Sequence, residues 1–548
     1  METLRSALPR RQFLHLAAIG CASLLAACGG ASAATASPAG GGSKASGGDK
    51  LRIASFPTST LNPDPVDFPF VDPHLPLMYT PLIGATPGET DVNLRYGAAE
   101  KMSFSDDGKI LTIAVRQGLK FHNGALLGAK DVKFSIERSY GPLSTSELNG
   151  SVKSVVSKVD LKDDSTVVVT LKGPSATMIT ELSPLVNPIY IVPMDYYNKV
   201  GQDGFAAKPV GSGPYQWGSG ERDSFVELKA GPGAHPILGT PTYQTVRFDK
   251  VKENTTRVAM LKTGQADIAE TQRPSVADLQ KANFRVEFKK AQQLIGFYFL
   301  QSWDKSTFLN NINVRKAVSM AVDRDTLAKT ILDNIGVSPW GVTWPPPFDP
   351  SAELPEYQQA TAKPDPYDPA QSKKLLADAG LAPNQVRLKL VVTNQFPEQA
   401  QLSQAVQQMV NAVGIHVDLV TIAFDTFRKT WGKHGSAGNE MTLFAASNRL
   451  IALGGARSVF HTDGAIGLGH DPEIDRTLNA AAVAKSLDEY KKLFTQFAVL
   501  ARKGEYAPGF FTLDGVWGLN PKLPHWGMQQ SRSRFGLALQ KLVLDTPA

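Results

Sequence analysis

Residues 106–138 run DDGKILTIAVRQGLKFHNGALLGAKDVKFSIER. Asp107-Gly108 predicts a tight turn, because glycine accepts the positive φ that such turns need. Ile110–Val115 predicts a short strand, being rich in β-branched and aliphatic side chains. Phe121-His122-Asn123-Gly124 predicts a second turn. Beyond Gly128, Val132, Ile136 and Tyr140 recur every four residues with charges between them, which predicts a helix starting near Lys130. Asp131 in its first turn suits the positive end of the helix dipole. These make a strand, a loop and a helix.

Working outward, the N-terminus carries a different signal. Arg5, Arg10 and Arg11 form a basic head, and Phe13–Ala27 is an apolar stretch too short to span a bilayer, which takes about twenty residues. It ends in Leu25-Ala26-Ala27-Cys28-Gly29, which is similar to a bacterial lipoprotein cleavage box with Cys28 as the lipid acceptor. Arg10-Arg11-Gln12-Phe13-Leu14 also resembles a twin-arginine export signal, with Pro9 and His15 as departures. Residues 1–27 are therefore expected to be an export signal. Residues 28–50, almost all Gly, Ala and Ser after the cysteine, are expected to be a flexible tether. The only cysteines are Cys21 and Cys28. The mature chain then has no thiol for catalysis, a disulfide or a zinc ribbon.

The chain carries a formal charge of +6. The leader removes Glu2 and three arginines, leaving +4 on the mature part. The basic residues are scattered, without the interleaved aromatics of a nucleic-acid surface. Apolar content of 42% is ordinary for a soluble globular chain, and about 500 residues exceed one domain.

Further along, several short motifs occur in order. They are Thr60-Leu61-Asn62-Pro63, Leu94–Glu100, Lys208-Pro-Val-Gly-Ser-Gly-Pro-Tyr215, Gly264-Gln-Ala-Asp-Ile268, Asn313–Arg324 and Pro366-Tyr-Asp-Pro-Ala370. Together with the 106–138 stretch they resemble the solute-binding proteins of ABC importers, peptide/nickel class (bacterial extracellular solute-binding family 5), in lipoprotein form. Asn123 stands where the family usually has Asp, and Gly128 where it usually has Ser or Thr. The resemblance implies a two-lobed periplasmic-binding-protein fold of the large peptide-binding type (class II), with a discontinuous first lobe. Lobe I would comprise 51–85, 205–294 and 508–548, with 86–204 as an extra α/β elaboration, and lobe II would be 295–507. Two crossing strands would form the hinge. A solute would close the lobes, which requires that it bind the closed state better than the open one.

Individual elements are legible too. Val167–Leu171, Pro188–Pro193, Thr245–Phe248, Leu294–Phe299, Val386–Val392 and His416–Val420 read as strands. Asn254–Lys262, Gln371–Ala379, Leu402–Val413, Pro472–Ala484 and Leu487–Lys503 read as helices. Ser486 and Glu489 have capping-box spacing, and Gly504 would end the last helix. Arg315 and Arg324 are expected to brace their helix. His122 is expected to be structural, set in a turn far from any other His in the sequence.

Catalytic signatures are missing. There is no Gly-x-Ser-x-Gly, no His-Glu-x-x-His and no intact phosphate loop, so no catalytic residue, cofactor or metal ligand is assigned. His461 and His470 share a Gly-rich loop with Asp463 and Asp471, the one crowding of metal-ligand types. A solvated polar loop is the plainer account.

The expected function is capture of a peptide or peptide-like solute in the interlobe cleft and delivery to the permease and ATPase subunits of an importer. The chain would act as a monomer on the periplasmic side of the inner membrane. Many peptide-binding relatives carry a "W.aDy.dP" stretch whose Asp pairs with a peptide ammonium. The matching place, Met441–Gly455, lacks that acid and has Asn448-Arg449 near its register. An ammonium buried without a counter-charge is costly, whereas Arg offers a planar fork to a carboxylate or phosphate. Asn448 and Arg449 are therefore candidate ligand contacts, for a solute without a free ammonium there. Trp344, Phe424 and Trp517, with Trp340, are candidate cleft aromatics, core packing being the alternative. Two other readings stand: a non-peptide anionic solute or chelated metal such as nickel, and a membrane-anchored interaction or sensor lipoprotein that feeds no importer.

Overall fold

The computed structural model describes residues 49–545 apart from 57–61, 67–72, 88, 90, 142–151, 154, 222–223, 394, 425, 428–437, 449 and 525–534. The leader, Cys28, most of the tether, Thr60-Leu61 and Arg449 lie outside the described residues. Gly47–Ala548 forms one compact unit.

Its frame is an 11-stranded mixed sheet. From one edge the order is Ile415–Thr421, Val386–Val392, Glu440–Ser447, Arg285–Phe299, Gly509–Leu519, Ile268–Thr271, Lys50–Ser55, Thr245–Lys250, Phe225–Ala230 and Tyr215–Glu221. Val337–Pro339 adds to the side of Gly509–Leu519. Lys50–Ser55 pairs in parallel with Ile268–Thr271 and Thr245–Lys250. At the far end Val386–Val392 and Ile415–Thr421 pair in parallel, joined by the helix Gln399–Asn411, the crossover that parallel strands require. Arg285–Phe299 and Gly509–Leu519 run antiparallel through the middle and join the two halves.

A second, four-stranded antiparallel sheet holds the opening stretch. Ile110–Val115 lies between Ala99–Phe104 and Thr166–Leu171. Its alternation of half-exposed and buried residues follows the two-residue period of a strand. The helix Ala129–Tyr140 follows, with Gly128 as N-cap. Asp131, buried, accepts from Gly128 N at 3.0 Å, the reciprocal half of a capping box, and from Met194 N at 2.9 Å. Arg138 at the other end lies 4.3 Å over the Tyr197 ring and pairs with buried Asp64 in the turn after Asn62-Pro63.

One apolar core runs from Leu51 and Ile53 through Leu111, Ile113, Val132 and Ile136 to Phe248. A second surrounds Phe297, Phe299, Val314, Leu388 and Phe510. A third gathers Trp344, Tyr357, Phe460, Tyr490 and Phe494, and Ala85, Leu185 and Val186 pack into it from the early part of the chain.

Most predicted elements are present, with Asn254–Lys262 and Val386–Val392 matching to the residue. Two expectations need correction. Pro188–Pro193 is not a strand; the segment makes one isolated bridge, Pro81 to Tyr190. Prolines at both ends remove the donors a ladder needs. Gly504 does not supply the left-handed residue that ends its helix. Glu505 does, at φ +50°. Gly504 is needed because a Cβ there would meet the Tyr506 ring at 2.1 Å. Arg315 and Arg324 brace as expected. Arg315 donates to Gly504 O, Leu309 O and Asn310 O, and Arg324 donates to Gly509 O and Ser319 O. No described helix is long and apolar enough to cross a membrane.

Candidate functional site

Where the two central strands pass between the halves of the sheet, their pairing breaks. The register shifts between Lys289 and Gln293, and Ala291 takes φ +44°. Asp514 on the opposite strand closes this bulge: its carboxylate accepts from Ala291 N and from Lys290 Nζ, both at 2.8 Å. The bulge re-aims the side chains beside it, and Gln292 and Gln293 line an adjoining cleft.

Three other segments complete the lining: Glu270–Arg273 with Phe56 and Arg257, Gln395–Glu398, and Asp514–Val516. The cleft therefore lies between Ile268–Thr271 in one half of the sheet and the loop before Gln399–Asn411 in the other. Arg273 spans it, donating from Nε to Ile335 O at 2.8 Å, from Nη2 to Asp514 O at 2.8 Å and from Nη1 to Glu398 Oε1 at 3.1 Å.

The opposite wall shows how glutamine works here. Val386–Val392 pairs with Glu440–Ser447 only through Lys389–Val391. Glutamine side chains then take over the strand's edge. Gln399 Nε2 donates to Leu443 O at 2.8 Å, while Gln395 donates from Nε2 to Ala445 O and accepts at Oε1 from Ala445 N, both at 3.0 Å. Gln395 thus pairs with the N–H and the C=O of one residue, as a neighbouring strand would.

The charged groups of the lining already have partners. Glu270 accepts from Phe56 N at 2.8 Å, and burial pushes its carboxyl above the usual range. Arg257, fully buried, donates to the carbonyls of Glu270, Val251 and Lys252 at 2.6–2.8 Å, and burial lowers its pKa.

Of the residues named from the sequence, Asn448 touches the bulge beside this cleft. Its N donates to Gln292 O at 3.3 Å and its Nδ2 to Ala291 O at 2.9 Å, so it holds the bulge by the backbone. Arg449 follows it, outside the described residues. Trp344 is 4% exposed and lies over Gly455, where a Cβ would touch the indole at 2.5 Å. Phe424 packs at the edge of the same apolar core, its ring 6.5 Å from Phe444. Trp517 is 4% exposed, opposite Glu270 and Glu287 in the sheet. The structure thus brings Trp344 and Phe424 to one core and Asn448 to the bulge, with Trp517 in another core. The glutamines were not singled out in the sequence, because a lone Gln has no spacing signature; their place depends on strand ends that only the fold brings together.

His122 joins two family-like motifs. Its N donates to Gly211 O at 2.8 Å, its Nδ1 accepts from Gly211 N at 3.3 Å, and its Nε2 faces Gly213 O at 2.9 Å. His235 holds the same segment from the other side, its Nε2 2.7 Å from Ser212 O, and lies within electrostatic reach of His122. The 121–124 turn and the 208–215 loop are therefore one structural unit. His461 accepts at Nδ1 from Asp463 N at 3.1 Å, and His470 stacks on Trp303 at 4.3 Å. Among the described residues no group of three or more His, Asp or Glu side chains is set to hold a metal.

A mixed sheet crossed at its centre by two strands, with a cleft beside the crossing, is the architecture of the two-lobed periplasmic binding proteins. The comparisons give the family. Residues 93–443 match the model of bacterial extracellular solute-binding proteins, family 5 Middle. The chain belongs to the family 5, peptide/nickel class of solute-binding proteins. The glutathione-binding protein GsiB of Escherichia coli (strain K12) is 29% identical over 335 residues, covering 61% of this chain and 62% of that protein. The chain thus spans about three fifths of the curated relatives it matches. Among solved structures, NikZ from Campylobacter jejuni, in complex with Ni(L-His), aligns at a TM-score of 0.73 with 21% identity over 88% of this chain and 96% of that one. DppA from Helicobacter pylori, in complex with the peptide STSA, aligns at 0.73 with 20% identity over 91% and 98%. At these identities the likeness speaks for the fold.

Proposed function

We propose that the chain is the substrate-binding component of an ABC import system. It captures a peptide or peptide-like solute in the cleft beside the crossing strands and delivers it to the membrane permease, whose transport an ATPase subunit drives. Cys28 carries the lipid that anchors it on the periplasmic side of the inner membrane, and the 28–50 tether gives it reach. The lobes divide as the sequence suggests, at about 85, 205, 295 and 508. The observation that carries the proposal is the cleft itself, walled by both halves of the sheet next to the two strands that join them. A solute held there touches both halves, so it binds the closed arrangement better than the open one. Family membership and the glutathione- and peptide-binding relatives support the same reading.

The solute has no free ammonium near residue 448, because Asn448 and Arg449 stand there in place of a carboxylate and offer no counter-charge to it. Thermal-shift screening of di- and tripeptides, glutathione and acidic metabolites tests this. A ligand at a hundredfold its Kd adds about 2.7 kcal/mol to the bound state. Stabilisation by ordinary peptides, unchanged in Arg449→Ala, contradicts the assignment of the contact.

A further inference from the structure

We infer that residues 173–187 form a latch between the two lobes, closing the elaboration of the first lobe onto the second away from the cleft. The inference rests on the lobe division proposed above. It concerns what holds the lobes together, whatever they capture.

The segment is rooted in one lobe and seated on the other. Met178 and Leu182 belong to the core that holds Leu111, Ile113 and Val132, in the elaboration. Leu185 and Val186, 5% and 2% exposed, belong instead to the core of Trp344, Tyr357 and Phe460, in the second lobe. Ala176 N donates to Ala484 O at 3.0 Å, and a Cβ at Gly173 would meet Val483 at 3.3 Å. None of these residues lines the cleft, so the contact does not depend on a solute.

Charge does not decide the contact. Glu181, 7% exposed, accepts from Thr177 Oγ1 at 3.1 Å within its own segment. It lies within electrostatic reach of Arg457, which attracts it, and of Asp349, which repels it. Asp349 is held in the second lobe by Ser351 N, Ala452 N and Tyr490 OH. The opposed charges offset one another, which leaves the burial of Leu185 and Val186 as the main attraction.

The segment also has room to let go. Its one helix, Met178–Glu181, is a single turn. Beneath it lies an apolar hollow lined by Leu82, Met102, Ile113, Ile136, Ile179 and Leu182. Side chains around a void lack contacts on one side, so the segment can shift on its root at small cost. A contact that empty and loaded protein can both make favours closing in either case. It raises the affinity for every solute by the same factor and sets no preference among them.

Hydrogen exchange tests this on the mature protein, dialysed free of solute and checked by native mass spectrometry. The Ala176 amide, whose partner lies across the contact, should be protected at least about tenfold over the unstructured rate. Lys172 N, bonded to Val155 O at 2.9 Å inside the elaboration, is the control. In a Leu185→Ser/Val186→Ser variant, Ala176 should exchange at least about fivefold faster and Lys172 as in wild type. The variant's radius of gyration, read by small-angle scattering, should be larger. An unprotected Ala176 amide in wild type overturns the inference, and so does a variant with wild-type protection and radius. Loss of protection at both amides overturns it too, since the segment would then be part of the fold and not a latch. Because no solute enters the measurement, these outcomes stand apart from whether the chain feeds an importer.

Discussion

Arg273 Nη1 and Glu398 Oε1 lie 3.1 Å apart, joining the second residue beyond Ile268–Thr271 to the N-cap of Gln399–Asn411 across the cleft. Both side chains are nearly buried, at 6% and 11% exposure. Removing one partner of such a pair leaves a charge without compensation. Arg273→Ala also strips the donors from Ile335 O and Asp514 O, so it should cost about 3–5 kcal/mol in urea denaturation. Glu398→Gln keeps an acceptor for Nη1 and should cost less. A loss under about 1 kcal/mol for Arg273→Ala, the range of an exposed pair, contradicts this.

Asp514 holds the bulge between Lys289 and Gln293. Asp514→Ala should lose about 1–3 kcal/mol, because the Ala291 amide is left without its acceptor. Asn at 514 keeps a carbonyl oxygen and should recover part of the loss. Hydrogen exchange at Ala291 reports the site directly, and unchanged protection in the alanine variant contradicts the assignment.

Gly211 and Gly213 lie against the backbone of 77–78. A Cβ at 211 would come within 2.0 Å of Met78 O, and one at 213 within 2.4 Å of Leu77 O. Alanine at either should leave the chain unable to fold to soluble protein. Gly118 is the control: it has φ +84° and open space around it. Alanine there should cost only about 1–2 kcal/mol of backbone strain. Comparable soluble yields for all three variants contradict this account.

Much of this was legible in the sequence, for a physical reason. The 106–138 stretch encodes its elements locally, through a Gly turn, a β-rich run and four-residue periodicity, so strand and helix appear where expected. The Tyr215–Glu221 and Phe225–Ala230 hairpin went unread because Gly218 and Gly220 obscure its alternation. Glu440–Ser447 is hard to recognise as a strand from the sequence because Glu440, Thr442 and Ser447 interrupt its apolar run, although most of it is buried. The cleft itself was not legible. Arg273, Glu398 and Asp514 are far apart in the chain, and nothing in the local sequence of any one of them names the other two.

Histidine burial gives a pH dependence. His235 faces Ser212 O through Nε2 and accepts at Nδ1 from Leu238 N at 3.1 Å and Ile237 N at 3.3 Å, so it must be neutral with its proton on Nε2. Burial lowers its pKa from 6.5 to about 4. With the folded value depressed, the unfolded chain takes up the proton first, so this stabilisation is present above pH 6.5 and is lost as pH falls toward 4. Wild type should therefore exceed His235→Gln in urea midpoint at pH 7.5, and the gap should narrow by pH 5. A gap independent of pH contradicts the assigned tautomer.

Native mass spectrometry of the purified protein tests the central claim most directly. A solute-binding protein should carry, or take up from a peptide pool, one small molecule per chain that is released on denaturation. The account predicts that single adduct. Bare chain in every preparation, including after incubation with the pool, would contradict it.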